Sequence, residues 1–318
     1  MGRTVRLTNR ADTFTQGLSA NNIEITLFTL GGNDRVNLNR DDDLGGGNTV
    51  DTGKGNDVVQ NLKESGNVIR LGNGNDTYIG LGFGSFATDP FDQVFAGKGK
   101  DTIAVATFQS RYFGQSGNDT FFSVGWQNTF DGGSGTDTIS YAPRDDDSTQ
   151  GGSAVTIHLG AGTVQTGTSR TETLVSIENA TGSGASDVII GSSVANRLEG
   201  AGGFDDLTGG LGADRFVFAR VADSQVSDDG IDLVADFSRA QGDRIDVSGI
   251  DAKSGVAGNQ AFTFIGTGDF TGAKGQLRFE VIAGEGLILS GDINGDRVAD
   301  FRIGLLDLTT LAASDIIL

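Results

Sequence analysis

An all-β solenoid of short, stacked strands is predicted for this 318-residue chain by three observations. It carries 51 Gly and only 2 Pro, well above the usual ~7% glycine but without a collagen period, which describes a turn-rich β architecture. Of its 42 acidic residues 7 are Glu and the remaining 35 Asp, the carboxylate suited to tight turns and short-armed metal coordination. Finally, turn-forming glycines, an Asp and a large apolar residue recur at fixed spacing.

The first segment, residues 1–140, carries the recurrence most openly: LGGNDRV around Asp34, GKGNDVV around Asp57, GNGNDTY around Asp76, GKGKDTI around Asp101, QSGNDTF around Asp119 and GSGTDTI around Asp137. The separations, 23, 19, 25, 18 and 18 residues, settle on eighteen. A weaker set lies halfway between, at Asn48, Asn67, Asp92, Ser110 and Asn128, and from Asp92 to Asp137 the phase runs unbroken at nine. Nine residues therefore make a half-coil of turn plus short strand, and eighteen make a full coil.

Residues 141–180 break the phase; AVTIHLGAGTV and TLVSIENATGSG read as longer alternating strands, a β-rich interlude. Over residues 181–218 the nines return at Asp187, Asn196, Asp205 and Asp214. From 219 to 318 the texture changes to longer strands, a C-terminal β-rich cap.

GGSGTDTIS (Gly132 to Ser140) and GGLGADRFV (Gly209 to Val217) meet the nonapeptide G-G-x-G-x-D-x-U-x in full, and GAGGFDDLT (Gly200 to Thr208) fails only at the second glycine. The chain thus resembles the RTX (repeats-in-toxin) family of calcium-binding proteins, whose fold is a right-handed parallel β-roll. From Phe216 the segments IDLVADFSRAQGDRIDVSGID and LILSGDINGDRVADFRIGLLDLTT resemble the C-terminal domain of serralysin-type (peptidase M10) secreted metalloproteases. That likeness implies a β cap and a type I secretion signal, with the ending Asp315-Ile316-Ile317-Leu318 matching the family's pattern of one acidic residue followed by apolar ones. It implies an extracellular protein exported by a type I apparatus without a cleaved N-terminal signal, possible attachment to the cell surface being left open.

The expected cofactor is Ca2+, several ions. Calcium takes six to eight hard oxygens, so adjacent turns can share an ion between carboxylates and backbone carbonyls, with glycine wherever a Cβ would intrude. The expected ligands are Asp34; Gly53, Gly55 and Asp57; Gly72, Gly74 and Asp76; Gly97, Gly99 and Asp101; Gly117 and Asp119; and Gly133, Gly135 and Asp137. They continue with Asp187; Gly200, Gly202 and Asp205; and Gly210, Gly212 and Asp214. The half-turn positions carry Asn or Ser, so calcium is expected along one edge of the N-terminal roll and amide hydrogen bonding along the other, while after Asp187 both edges are glycine-rich.

DINGDRVAD offers Asp292, Asn294, Asp296 and Asp300 at positions 1, 3, 5 and 9 of an EF-hand-like loop, but Arg297 and Ile303 stand where Gly and Glu belong. A partial calcium site and an Asx-turn hairpin are both open there. Asp232, Asp236, Asp243 and Asp246 are read as turn residues ahead of ligands. The inserts DDDLGGG (Asp41 to Gly47) and RDDDSTQGG (Arg144 to Gly152) are read as solvated loops.

A formal charge of -19 disfavours nucleic acid and anionic lipid as partners, and no apolar run is long enough for a transmembrane helix. A zincin needs HExxH, whereas the only histidine is His158, in an alternating strand; there is no Cys and no G-x-S-x-G. The chain is therefore read as a non-catalytic surface, matrix or adhesion protein. The alternative is a calcium-dependent polysaccharide lyase or hydrolase, with Lys54, Lys98, Lys100, Arg70 and Arg111 as its cationic candidates. Aromatics of GLGFGSFATDPF (Gly80 to Phe91), with Tyr112, Phe113 and Trp126, are read first as core and edge caps, and second as a surface for a polysaccharide partner.

Overall fold

The computed structural model describes residues 2–17, 24–38, 46–62, 66–81, 91–146, 153–224, 226 and 230–318. Most of the acidic inserts and of the 80–91 insert lie outside the described residues. The chain forms two compact units, one of Met1–Pro143 with Gly162–Ile177, the other of Arg144–Ala161 with Glu178–Leu318.

In the first unit two parallel sheets alternate along the chain. One is built from Thr4–Arg6, Thr26–Phe28, Thr49–Asp51, Val68–Asn73, Gln93–Lys98, Arg111–Ser116, Thr129–Asp131 and Arg170–Val175, each paired in parallel with the next. The other runs through Thr13–Thr15, Arg35–Asn37, Val58–Asn61, Thr77–Gly80, Thr102–Val105, Thr120–Ser123 and Thr138–Ser140. Successive strands of the chain fall in opposite sheets, the arrangement of a parallel β-roll. The register stacks like on like: Asp34, Asp57, Asp76, Asp101, Asp119 and Asp137 each precede a strand of the second sheet by one residue.

A three-residue strand can bury one side chain, and from Thr26–Phe28 onward each such strand of this unit buries its middle one, whereas Val5 and Phe14 in the first strands are half-buried. Leu27, Val50, Ile69, Val94, Tyr112 and Phe130 fill the core from one sheet, and Val36, Val59, Tyr78, Ile103, Phe121 and Ile139 from the other. Tyr112 stacks on Phe130 at 5.3 Å, and Phe121 meets Phe130 edge-on at 5.5 Å. Tyr112 is therefore core, Phe113 on the same strand faces outward, and Trp126 lies at the edge under the Arg170 guanidinium, 4.3 Å from its ring centroid.

The stretch 141–180 is divided between the units. Its hairpin, Thr163–Gly167 antiparallel to Arg170–Val175, extends the first unit because Arg170–Val175 also pairs in parallel with Thr129–Asp131. In the second unit Thr156–His158, Val188–Ser192, Asp206–Gly210, Asp232–Val234 and Phe301–Leu306 form one parallel run. Phe301–Leu306 then continues antiparallel into Gly286–Asp292 and Gln276–Ile282. The facing sheet carries Asn179–Thr181, Arg197–Glu199, Arg215–Val217, Arg244–Asp246 and Ile316–Ile317. Within this unit the C-terminal segment thus prolongs the parallel run and ends it in longer antiparallel strands.

Candidate metal centre

From Asp34 to Asp119, each full turn in the first unit ends on an aspartate whose backbone N–H donates to the Oδ1 of the aspartate one coil on. Asp34 donates to Asp57 at 2.7 Å, Asp57 to Asp76 at 2.7 Å, Asp76 to Asp101 at 2.8 Å, Asp101 to Asp119 at 2.8 Å and Asp119 to Asp137 at 2.7 Å. The second oxygen, Oδ2, of Asp34, Asp57, Asp76, Asp101 and Asp119 is buried with no hydrogen-bond partner. A buried, unmatched carboxylate oxygen is costly, and here it recurs at every coil.

Glycine shapes the surroundings of these oxygens. Gly55, Gly74, Gly99, Gly117 and Gly135 have φ of 132°, 146°, 144°, 134° and 140°. A Cβ on any of them would collide with the carbonyl oxygen of the matching glycine one coil back, Gly32, Gly55, Gly74, Gly99 and Gly117 in turn. Gly53, Gly72, Gly97 and Gly133 are also at positive φ, each against a backbone carbonyl. Gly114 lies against the free Oδ2 of Asp119, so the opening glycine of the nonapeptide leaves room for that oxygen. The turns are rows of close-set carbonyls beside a row of carboxylate oxygens.

Among the described residues no three His, Cys, Asp or Glu side chains converge as a ready metal cluster. One carboxylate per coil would fit a divalent hard cation only if carbonyls supplied most of its oxygens, and the glycine turns bring backbone carbonyls close together beside the carboxylates. Burial is what chiefly raises these aspartates: Asp57 lies above the usual range, Asp76 is pushed to about 7, and Asp101 and Asp119 to about 6. The donated backbone N–H groups oppose the rise, and the Asp57 and Asp101 charges add to it at Asp76.

The half-turn edge has the opposite chemistry. Asn67 Oδ1 accepts both the backbone N–H of Asn48 at 3.0 Å and its Nδ2 at 2.8 Å, and Asp92 Oδ1 accepts the same pair of donors from Asn67 at 2.8 and 3.0 Å. Asp92 Oδ2 accepts from Asn61 at 2.9 Å and from the Tyr78 hydroxyl at 3.1 Å, while Ser110 donates to Asn128 Oδ1 at 3.0 Å. Both Asp92 oxygens are thus supplied by the protein. Burial still lifts its carboxyl to about 6.

In the second unit both edges carry carboxylate ladders. On one, the Asp187 N–H donates to Asp205 and the Asp205 N–H to Asp232; on the other, Asn196 donates to Asp214 and Asp214 to Asp243. Oδ2 of Asp205 and of Asp214 is buried without a partner, beside Gly200 and Gly209 respectively. Burial pushes Asp205 to about 8, and Asp214 and Asp232 to about 6. Gly210 and Gly212 have φ of 91° and 123°; near Asp205 the positive φ of 116° falls at Gly203 while Gly202 stays outside that region.

Two features of the site escaped the sequence reading. Asn33, Asn56, Asn75 and Asn118 form a further amide ladder, each Oδ1 accepting the backbone N–H of the equivalent residue in the next coil, at 2.9 to 3.1 Å. The recurring GND, rather than D alone, was the signal. Asp232 and Asp243 join the ladders although they stand 27 and 29 residues beyond Asp205 and Asp214. Asp236 accepts from the Gly209 and Gly210 N–H groups, and Asp246 pairs with Arg215 and Ser248.

In the EF-hand-like loop the carboxylates serve the backbone. Asp292 accepts from Gly295 at 2.6 Å and Arg297 at 3.0 Å, and Asp300 from Ile293 at 2.7 Å and the Asn294 side chain at 3.0 Å. Asn294 and Asp296 each accept from the residue two ahead, at 2.8 Å. This is Asx-turn chemistry. His158 accepts from the Ala161 N–H at 3.0 Å, a local turn contact.

Residues 161–318 match the family model described as peptidase M10 serralysin C terminal. The match starts well before Phe216 and takes in the glycine-rich turns of the second unit as well as the cap. No curated protein matches the chain. The C-terminal half therefore belongs to the serralysin C-terminal family, and the molecule is an RTX-type β-roll protein. The matched domain is not the catalytic part of such proteases.

Proposed function

We propose that this is a secreted calcium-binding protein that folds on meeting extracellular calcium and acts there by binding rather than catalysis. The row of buried, unpartnered Oδ2 atoms on Asp34, Asp57, Asp76, Asp101 and Asp119, repeated at Asp205 and Asp214, carries this reading. These oxygens, with carbonyls of the glycine turns, would hold the ions, and calcium would supply the positive charge that a stack of carboxylates otherwise lacks. The Oδ1 atoms hold the coils in register, and the glycines keep the carbonyls accessible.

The Asn48–Asn67–Asp92 edge supports a one-sided ion row in the first unit, since its oxygens are already taken. The Asp292 to Asp300 loop is assigned to turn structure for the same reason. Without calcium the acidic stacks repel and desolvate at a loss, so in a low-calcium cytosol the chain stays largely unfolded, a state compatible with passage through a type I channel. Outside, calcium binds the folded form alone and draws the equilibrium over; at a hundred times the dissociation constant one site adds about 2.7 kcal/mol.

Circular dichroism tests the reading directly. Calcium added to chelated protein at neutral pH should produce a cooperative gain of β signal that magnesium does not reproduce. A β spectrum indifferent to chelator would overturn it.

A further inference from the structure

Outward-facing residues of the first sheet in the first unit stack in register: Asp51, Arg70, Phe95, Phe113 and Asp131 lie side by side on consecutive strands. Phe95 and Phe113 are stacked, with centroids 4.8 Å apart and planes 6° apart, and the Arg70 guanidinium lies 5.4 Å from the Phe95 centroid. A second outward row, Asn73, Lys98 and Ser116, runs parallel to the first. Between the rows, Gly72 and Gly97 form a floor without side chains, so the two rows wall a trough of about 570 Å³. It continues past Phe113 toward Asp131 and Gly133.

The floor has to stay bare. A Cβ on Gly72 or Gly97 would strike the backbone of the coil behind it. The depth of the trough thus follows from the packing of the glycine turns, and its axis crosses the strands, repeating one environment every coil, ~4.8 Å.

The charge on this face is opposite to that of the chain. Against a formal net charge of -19, the described outward positions of this sheet and its flanking turn carry Arg6, Lys54, Arg70, Lys98 and Arg111, and among the described residues of its outward row these face Asp51 and Asp131. Among the described residues neither Arg70 nor Lys98 has an ion-pair partner. Exposed cations left unpaired in so acidic a protein mark a surface complementary to an anion.

We propose that this trough binds a linear anionic polysaccharide of the uronic-acid class. A polymer laid along the solenoid axis meets equivalent positions at each coil, and a sugar ring offers apolar C–H groups to the Phe95 and Phe113 wall. Its hydroxyls find Asn73, Gln115 and Asp51, and its carboxylates find Arg70 and Lys98, the mixture of an apolar wall and a few placed polar groups that defines a ligand cleft. The neutral alternative, a plain glucan, leaves both cations unused. This deepens the binding role proposed above and rests on it, because the trough exists only when the roll is folded.

The test is calorimetric titration of the calcium-loaded full chain with a defined oligogalacturonate, and separately with a neutral cello-oligosaccharide. Saturable binding of the uronate is expected, weakening as salt is raised. The Phe95→Ala/Phe113→Ala double variant should lose at least about tenfold in affinity, as should Arg70→Ala/Lys98→Ala. All four side chains point outward, so the variants should keep the wild-type circular dichroism. A calcium-loaded roll with an intact β spectrum that ignores the uronate, or binds it equally well in both variants, overturns this proposal and leaves the calcium reading standing. Equal affinity for the neutral oligosaccharide removes the anionic assignment.

Discussion

Gly74 sits at φ +146°, and a Cβ there would strike the Gly55 carbonyl oxygen. Gly167, in the hairpin of the same unit, has nearly the same φ, +155°, yet a Cβ there would meet nothing closer than the Arg170 side chain at 3.7 Å. The pair separates two reasons for glycine: the dihedral alone, and the dihedral together with a backbone that cannot withdraw. Gly167→Ala should cost only the conformational penalty, about 1–2 kcal/mol. Gly74→Ala should cost roughly 2 kcal/mol more, because the carbonyl row must shift. Urea midpoints of the calcium-loaded variants give both numbers, and equal values would show that the turns are not the rigid cradles described above.

At the scale of one edge, the aspartate row holds the coils in register with Oδ1, and in the proposed reading Oδ2 is the oxygen that meets calcium. Asp76→Asn keeps an Oδ1 to accept the Asp57 N–H, but replaces the unpartnered oxygen by an amide and removes the charge that Asp57 and Asp101 oppose. Metal-free protein carrying this substitution should therefore be stabilised at pH 8 by about 1 kcal/mol or more, the penalty of an unmet buried acceptor. Its gain on adding calcium should fall below that of the parent. Thermal melts with chelator and with calcium show the crossover, whereas destabilisation under both conditions would mean that Oδ2 has a partner within the protein.

The row was readable from sequence because glycine and aspartate act within one turn: positive φ, a bare carbonyl and a carboxylate are all specified in six residues, and their period gives the stacking. What could not be read was set by contacts distant in sequence. Nothing local says that Thr163–Gly167 and Arg170–Val175 rejoin the first unit, since that depends on Arg170–Val175 pairing with Thr129–Asp131. Asp232 and Asp243 looked like turn residues because insertions moved them off the nine-residue phase, though the strands after them keep the register. Phe113 and Tyr112, adjacent in sequence, differ in fate because neighbours in a strand point to opposite faces.

For the whole molecule, the proposed calcium sites would set ions and protons in competition for the same carboxylates, and the sign of each effect follows from the shifts. Burial raises Asp57, Asp76, Asp92, Asp101, Asp119, Asp205, Asp214, Asp232 and Asp243 above their ordinary value, to about 6 to 8 where a figure is defined. Between roughly pH 4 and pH 8 the metal-free fold therefore holds more protons than the unfolded chain, and its stability declines as pH rises through that window. Asp315, held by Arg239, lies below the usual range, as does Asp246, where Ser248 and Arg215 outweigh burial; what they contribute is present above about pH 4 and lost in stronger acid. Two groups shifted down against nine shifted up leave the first effect dominant. In chelator, then, β signal and melting temperature should rise from pH 8 to pH 5. With saturating calcium the order reverses, because ions require ionised carboxylates and each proton must leave before one binds. Melts at pH 5, 6.5 and 8 under both conditions measure the two slopes; slopes of the same sign would mean that the buried aspartates are not where calcium acts.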